Sequence, residues 1–432
     1  MKKIFIYILI TIFFNTNLFA DSLTEALLKA YNKNPKLNAE RENINISEEN
    51  INISKSDFLP SVTLSGSKSK EDTSKLTNQS GGGASITDVN PLTTSLLIEQ
   101  TLYDGRSRNA DLEKNELGLD ISKIKLLKVE QDILYQAAEA YTGLILASKK
   151  YKINQSNVNL LQRQVETDQA RLEEGQISVV DLAQSESSLA GANAKFIEAK
   201  NEVVTGKLIY KNVIGSIDNI NDLSQKLNFN LKLPSSLAEA NEISQKNNPE
   251  LIIAKLELQQ SEKDIQIARA DLGPSATLSF ETSHTEDLSA TYNERDKNIL
   301  KATVKWPFYT GGKNQATLNK NKNLTNQKKL LLEDAVTSNK TTVASAWSSY
   351  QSSKSLLNSV KSQVRAAEIA NEGITIEYES GLGRSTLDVI QSNTLLLDSK
   401  ISLANSERNY LLSQFKLLQS IGWLTIEYLQ IK

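Results

Sequence analysis

The chain has 432 residues, of which 39% are hydrophobic and 23% charged, a low apolar share for this length. Lys and Arg number 49 against 51 Asp and Glu, so the net charge of −2 gives no electrostatic basis for nucleic-acid binding. There is no cysteine, which excludes disulfides and thiolate chemistry, and a single histidine, His284, leaves His-based triads and multi-His metal sites with almost nothing to build from. Composition argues against an enzyme, and no catalytic, cofactor-binding or metal site is expected.

In chain order, Lys2 and Lys3 precede an apolar run from Ile4 to Phe14, then Leu18-Phe19-Ala20 and Asp21. A basic start, a short apolar stretch and a small residue describe a secretory signal peptide over residues 1–20; a retained anchor is the competing reading. No later stretch approaches the ~20 apolar residues of a membrane helix, so an exported chain seated in a membrane must use strands.

The remainder reads as a tandem duplication. Asn34-Pro35-Lys36-Leu37 recurs as Asn248-Pro249-Glu250-Leu251, and Leu59-Pro60-Ser61 as Gly273-Pro274-Ser275, at an offset of 214. Leu102-Tyr103-Asp104-Gly105 matches Phe308-Tyr309-Thr310-Gly311, Tyr141 matches Trp347 and Gly175 matches Gly381, at an offset of 206. After a one-residue slip, Asp181 matches Asp388 and Ile214-Gly215 matches Ile421-Gly422. The eight-residue change of offset falls on the polar stretch Ser65 to Asn90, with Gly81-Gly82-Gly83, which reads as a solvent-facing loop.

The first repeat, residues 21–215, is expected to hold a helix from Asp21 to Phe58, strands at about 61–72 and 91–102, a long helix at about 105–174 and a return helix at about 178–214. Residues 216–236 connect it to the second repeat, 237–422. That repeat is expected to hold a helix from Leu237 to Leu272, strands at about 274–284 and 297–308, a long helix at about 312–380, a return helix at about 385–421, and then a tail at 423–432. The strands rest on period-two alternation, clearest in Leu300, Ala302, Val304, Trp306 and Phe308 against Lys301, Thr303 and Lys305. Trp306, Phe308 and Tyr309 suit a membrane-interface aromatic belt, and His284 reads as a solvated loop histidine beyond a strand. The long helices rest on near-absence of Pro and Gly, with Gly175 and Gly381 ending them. Four strands cannot close in a bilayer without unpaired edges, so several chains must share any barrel. A plain coiled coil fits the same composition.

The ordered set Asn-Pro-x-Leu, Pro after 25 residues, Tyr-x-Gly after a strand, and Tyr378-Glu379-Ser380-Gly381 leading to Leu387-Asp388-Val389-Ile390 resembles the TolC-like outer-membrane efflux family. The resemblance implies a mainly α fold with a transmembrane β-barrel part: a homotrimer whose chains pool four strands each into a twelve-stranded barrel, continued by a long periplasmic α-helical barrel. It implies a passive exit duct for efflux or type I secretion, partnered by a periplasmic adaptor (membrane fusion) protein and an inner-membrane transporter. The helix-turn tips at Gly175 and Gly381 would then dock the adaptor and form the entrance. Asp388 falls on an acidic ring there; Gln391 stands where the family pattern carries a second Asp, which leaves three charges per trimer rather than six. Tyr378 and Arg384 fall near the closing links, with Asp181 a partner for Arg384. The alternatives kept open are that Asp181 and Asp388 serve only as first-turn helix acids, and that the chain is a soluble periplasmic scaffold.

Overall fold

The computed structural model describes residues 22–72, 88–217, 220, 223–224, 229, 231–289, 292–381 and 383–431. The signal segment 1–20 and the Gly81–Gly83 loop lie outside the described residues. Two compact units are present, one from the described parts of Met1–Asn38, Val129–Asn248 and Lys340–Lys432, the other from Ala39–Lys128 and Pro249–Asn339. The elements run α1 Leu23–Lys33, α2 Pro35–Ser56, β1 Ser61–Lys68, β2 Leu92–Tyr103, α3 Ser107–Glu173 and α4 Val179–Val213. The same order then repeats as α5 Leu237–Asn247, α6 Pro249–Ala270, β3 Ser275–Glu286, β4 Glu294–Lys305, α7 Lys313–Glu379 and α8 Thr386–Ser420. The mates agree in length: α3 and α7 have 67 residues each, and α4 and α8 have 35 each.

The single helices expected before each strand pair are each two helices, broken at Asn34-Pro35 and Asn248-Pro249. Proline disfavours the helical region for its predecessor and opens helices well. Asn34 accordingly takes φ −67° and ψ 122°, and its Oδ1 accepts from Lys36 N at 3.0 Å and Leu37 N at 3.4 Å, so it closes α1 and caps α2. β4 stops at Lys305 instead of reaching 308, because Pro307 has no N–H for a ladder. Trp306, Phe308 and Tyr309 therefore lie in the segment after the strand, highly exposed. His284 lies within β3 rather than in a loop: it pairs with Asp296 across the ladder, and its Nδ1 sits 2.7 Å from Asp296 Oδ1.

The second unit contains one antiparallel sheet in the order β1-β2-β3-β4, so the β2–β3 ladder joins the repeats. Register puts even-numbered residues on one face: Val62 and Leu64 on β1, Leu96 and Ile98 on β2, Leu278 and Phe280 on β3, Leu300, Ala302 and Val304 on β4. The odd-numbered face is mostly Ser and Thr, with charged residues on the last three strands. Val62, Leu64, Leu300 and Val304 are 63–74% exposed, so nothing among the described residues covers the outer strands of the apolar band.

In the first unit the core is aliphatic and aromatic where α3, α4 and α8 are widest apart in sequence, with Leu134, Tyr141, Tyr210, Phe415, Leu417 and Ile421 fully buried. Away from it the helices bury narrow seams at heptad spacing, such as Ser185, Ala192 and Ala199 on α4. Small seam residues permit close helix approach, and the faces away from the seams mix polar side chains with exposed aliphatic ones such as Ile197, Leu208 and Ile369.

Candidate functional site at the helix-hairpin turns

The turns joining α3 to α4 and α7 to α8 belong to the first unit and are built alike. Gly175 and Gly381 take φ of 70° and 73°, the left-handed conformation that ends a helix at little cost only for glycine. At the first turn Gln176 N donates to Arg171 O at 2.8 Å, and Gly175 N donates to Leu172 O at 2.9 Å, which satisfies carbonyls left open at the end of α3.

Each return helix opens with a capping box. Ser178 Oγ accepts from Asp181 N at 3.3 Å, and Asp181 Oδ2 accepts from Ser178 N at 3.0 Å; Ser385 and Asp388 repeat this at 3.2 and 2.9 Å. The Ser178 hydroxyl and then its N–H hold the Asp181 carboxyl below its usual range, and the Ser385 N–H and then its hydroxyl do the same for Asp388. Both acids are partly exposed, and with their carboxyls held low they are ionised at neutral pH.

Arg384 does not reach Asp181. Its Nε donates to Glu377 Oε2 at 2.6 Å, within the same hairpin, because Glu377 sits in the last turn of α7. Tyr378 is buried and is tied to a residue that the spacing did not single out, Asp168 on α3. Tyr378 Oη donates to Asp168 Oδ1 at 2.8 Å and lies 3.1 Å from Thr386 Oγ1 on α8. Asp168 also accepts from Gln164 Nε2 at 2.9 Å and from Ser185 Oγ on α4 at 2.5 Å, and it has no exposed surface. One carboxylate thus links both hairpins, and Arg171 stacks 4.3 Å above the Tyr378 ring. Burial pushes the Tyr378 phenol up, so it stays a donor throughout the neutral range.

Asp168 escaped the repeat comparison because its mate is Ile374 and the mate of Tyr378 is Leu172. The available signal was its heptad distance from buried Leu161, which puts a carboxylate in a seam position. Arg171, Ile177, Asp181, Tyr378, Arg384 and Thr386 line one open cleft of about 490 Å³. Gln391 is exposed on α8, one turn beyond Asp388. The site holds hydrogen bonds and fixed charges.

The outer membrane efflux protein family pattern matches residues 26–208 and again 242–423, one match per repeat. The chain belongs to this family. It is 25% identical over 416 residues to the outer membrane efflux protein BepC of Brucella suis biovar 1, covering 96% of this chain and 88% of BepC. With the outer membrane protein TolC of Escherichia coli K12 the identity is 22% over 419 residues, covering 94% and 83%. The crystal structure of the Campylobacter jejuni CmeC outer membrane channel shares the fold at a TM-score of 0.80 and 14% identity, over 93% of this chain and 86% of CmeC. The protein is therefore an outer-membrane protein, and the soluble-scaffold alternative loses its footing.

Proposed function

We propose that three copies of this chain form the outer-membrane exit duct of an efflux pump or type I secretion system. Substrates pass through it passively from a periplasmic adaptor and inner-membrane transporter to the exterior. The observation that carries this reading is the sheet: four strands, an uncovered apolar face, a polar opposite face, and β1 and β4 each left with one unpaired edge among the described residues. An open edge cannot stand in hydrocarbon, where each unsatisfied backbone group costs several kcal/mol. Pairing β4 of one copy with β1 of the next removes every edge, and three copies give twelve strands, within the range of closed barrels.

The hairpin turns serve as the periplasmic entrance in this reading. Asp388 from each copy forms an acidic ring, Asp181 and Arg384 add fixed charges beside it, and Gln391 leaves the next turn neutral. The Tyr378–Asp168–Ser185 cluster latches one hairpin to the other, and exposed Val179 and Val180 beyond Gly175, with the Gly381 turn, present the adaptor-docking surface. Capping and ring roles for Asp388 are compatible, since the cap uses one carboxylate oxygen and the charge remains. Asp388→Asn keeps an oxygen acceptor for the Ser385 N–H and removes only the charge. In planar bilayers the variant is expected to conduct with reduced preference for cations over anions; an unchanged reversal potential under a salt gradient would remove Asp388 from the ring.

A further inference from the structure

The polar face of the sheet is unevenly charged. On β4 the odd-numbered side chains are Arg295, Lys297, Ile299, Lys301, Thr303 and Lys305, so four cations share one face of one strand. The only carboxylates that the register puts on that face are Glu99 on β2 and Glu281 on β3; β1 contributes Ser61, Thr63, Ser65 and Ser67. Among the described residues none of the four cations forms an ion pair, and all four are exposed. The acids of the β3–β4 end lie on the other face: Glu286, Glu294 and Asp296 are even-numbered, and Asp296 is held by His284. Charge is therefore sorted by face, with the excess positive charge on the face away from the apolar band.

We infer that Lys297, Lys301 and Lys305 form a cationic ladder lining the barrel, which attracts and transiently binds multiply charged anions such as phosphorylated or sulfated solutes. This rests on the duct reading, in which the apolar face meets lipid and the odd-numbered face meets water. Residues four apart on a strand are separated by about 13 Å, beyond the ~8 Å screening length at physiological salt. The lysines thus repel one another little, and each height of the barrel carries a ring of three. A polyanion spans two such heights or bridges one ring, whereas a monovalent ion meets single, screened charges. The surplus of four cations over two carboxylates per chain is opposite in sign to the acidic entrance turns.

The experiment uses full-length protein in planar bilayers, with tripolyphosphate added to each side in turn. Lys297→Ser/Lys301→Ser/Lys305→Ser is compared with the unaltered protein and with Lys68→Ser, which changes a lysine on the opposite face. Serine matches the residues already on this face, and exposed ion pairs are individually weak. Losing three is thus expected to raise the half-blocking concentration about tenfold from one side, while Lys68→Ser leaves it unchanged. Should the triple variant fail to insert, Lys301→Ser alone carries the comparison, with an expected rise of about twofold. An unchanged half-blocking concentration overturns the ladder, including the case where the variant assembles poorly, since the lysines would then only guard the β4 edge before assembly. Absence of current from every protein, the unaltered one included, overturns the duct reading together with the ladder.

Discussion

Asp168 and Gly422 show how single residues set the first unit. Asp168 accepts three hydrogen bonds with no contact to solvent, and a buried carboxylate of that kind is tolerable only because its donors are in place. Gly422, after α8, takes φ 83°, and a Cβ there would overlap the Asn247 carbonyl; its repeat mate Gly215, at φ 128°, has open space around it. Gly215→Ala is expected to cost only backbone strain, about 1–3 kcal/mol. Gly422→Ala adds an overlap that must be relieved by moving backbone, about 1–3 kcal/mol more. The thermal midpoint in detergent should therefore fall further for Gly422→Ala, and equal falls would refute the close-approach account. The Ile-Gly landmark was legible in the sequence as a repeat marker. Its steric meaning was not, because Asn247 comes from an element 175 positions earlier.

At the scale of elements, the hairpins declare their turns locally: a glycine that ends one helix, then Ser and Asp three residues apart that open the next. The strands declare themselves through alternation, and the sheet assigns faces that the sequence alone could only suggest. Two features were hidden. The Asn-Pro breaks sit between segments that are helical on both sides, so periodicity runs through them. Pro307 interrupts an alternation that Trp306 and Phe308 continue when only alternate residues are read. The Asp168 latch joins helices from both repeats and leaves no mark at matching positions. The face assignment has a direct consequence. Leu300→Arg puts a charge on the apolar band and is expected to cost about 2–4 kcal/mol near the bilayer midplane, with a lower yield in outer membranes. Thr303→Arg, on the polar face, should insert normally; the reverse order would invert the faces.

At the scale of the whole molecule, the duplication explains why one chain supplies two strand pairs and two hairpins of matched length. The two copies differ in charge more than in architecture: β4 carries a basic face, whereas its mate β2 carries Glu99 as its only charge. In the proposed duct, partner copies satisfy the apolar band and the strand edges, and assembly would then be coupled to membrane insertion. The central claim is that three chains pool their strands, and the most direct measurement is the oligomeric mass of protein extracted from outer membranes. The account predicts release only by detergent and a mass of three chains. A monomer, or release by salt alone, would contradict it.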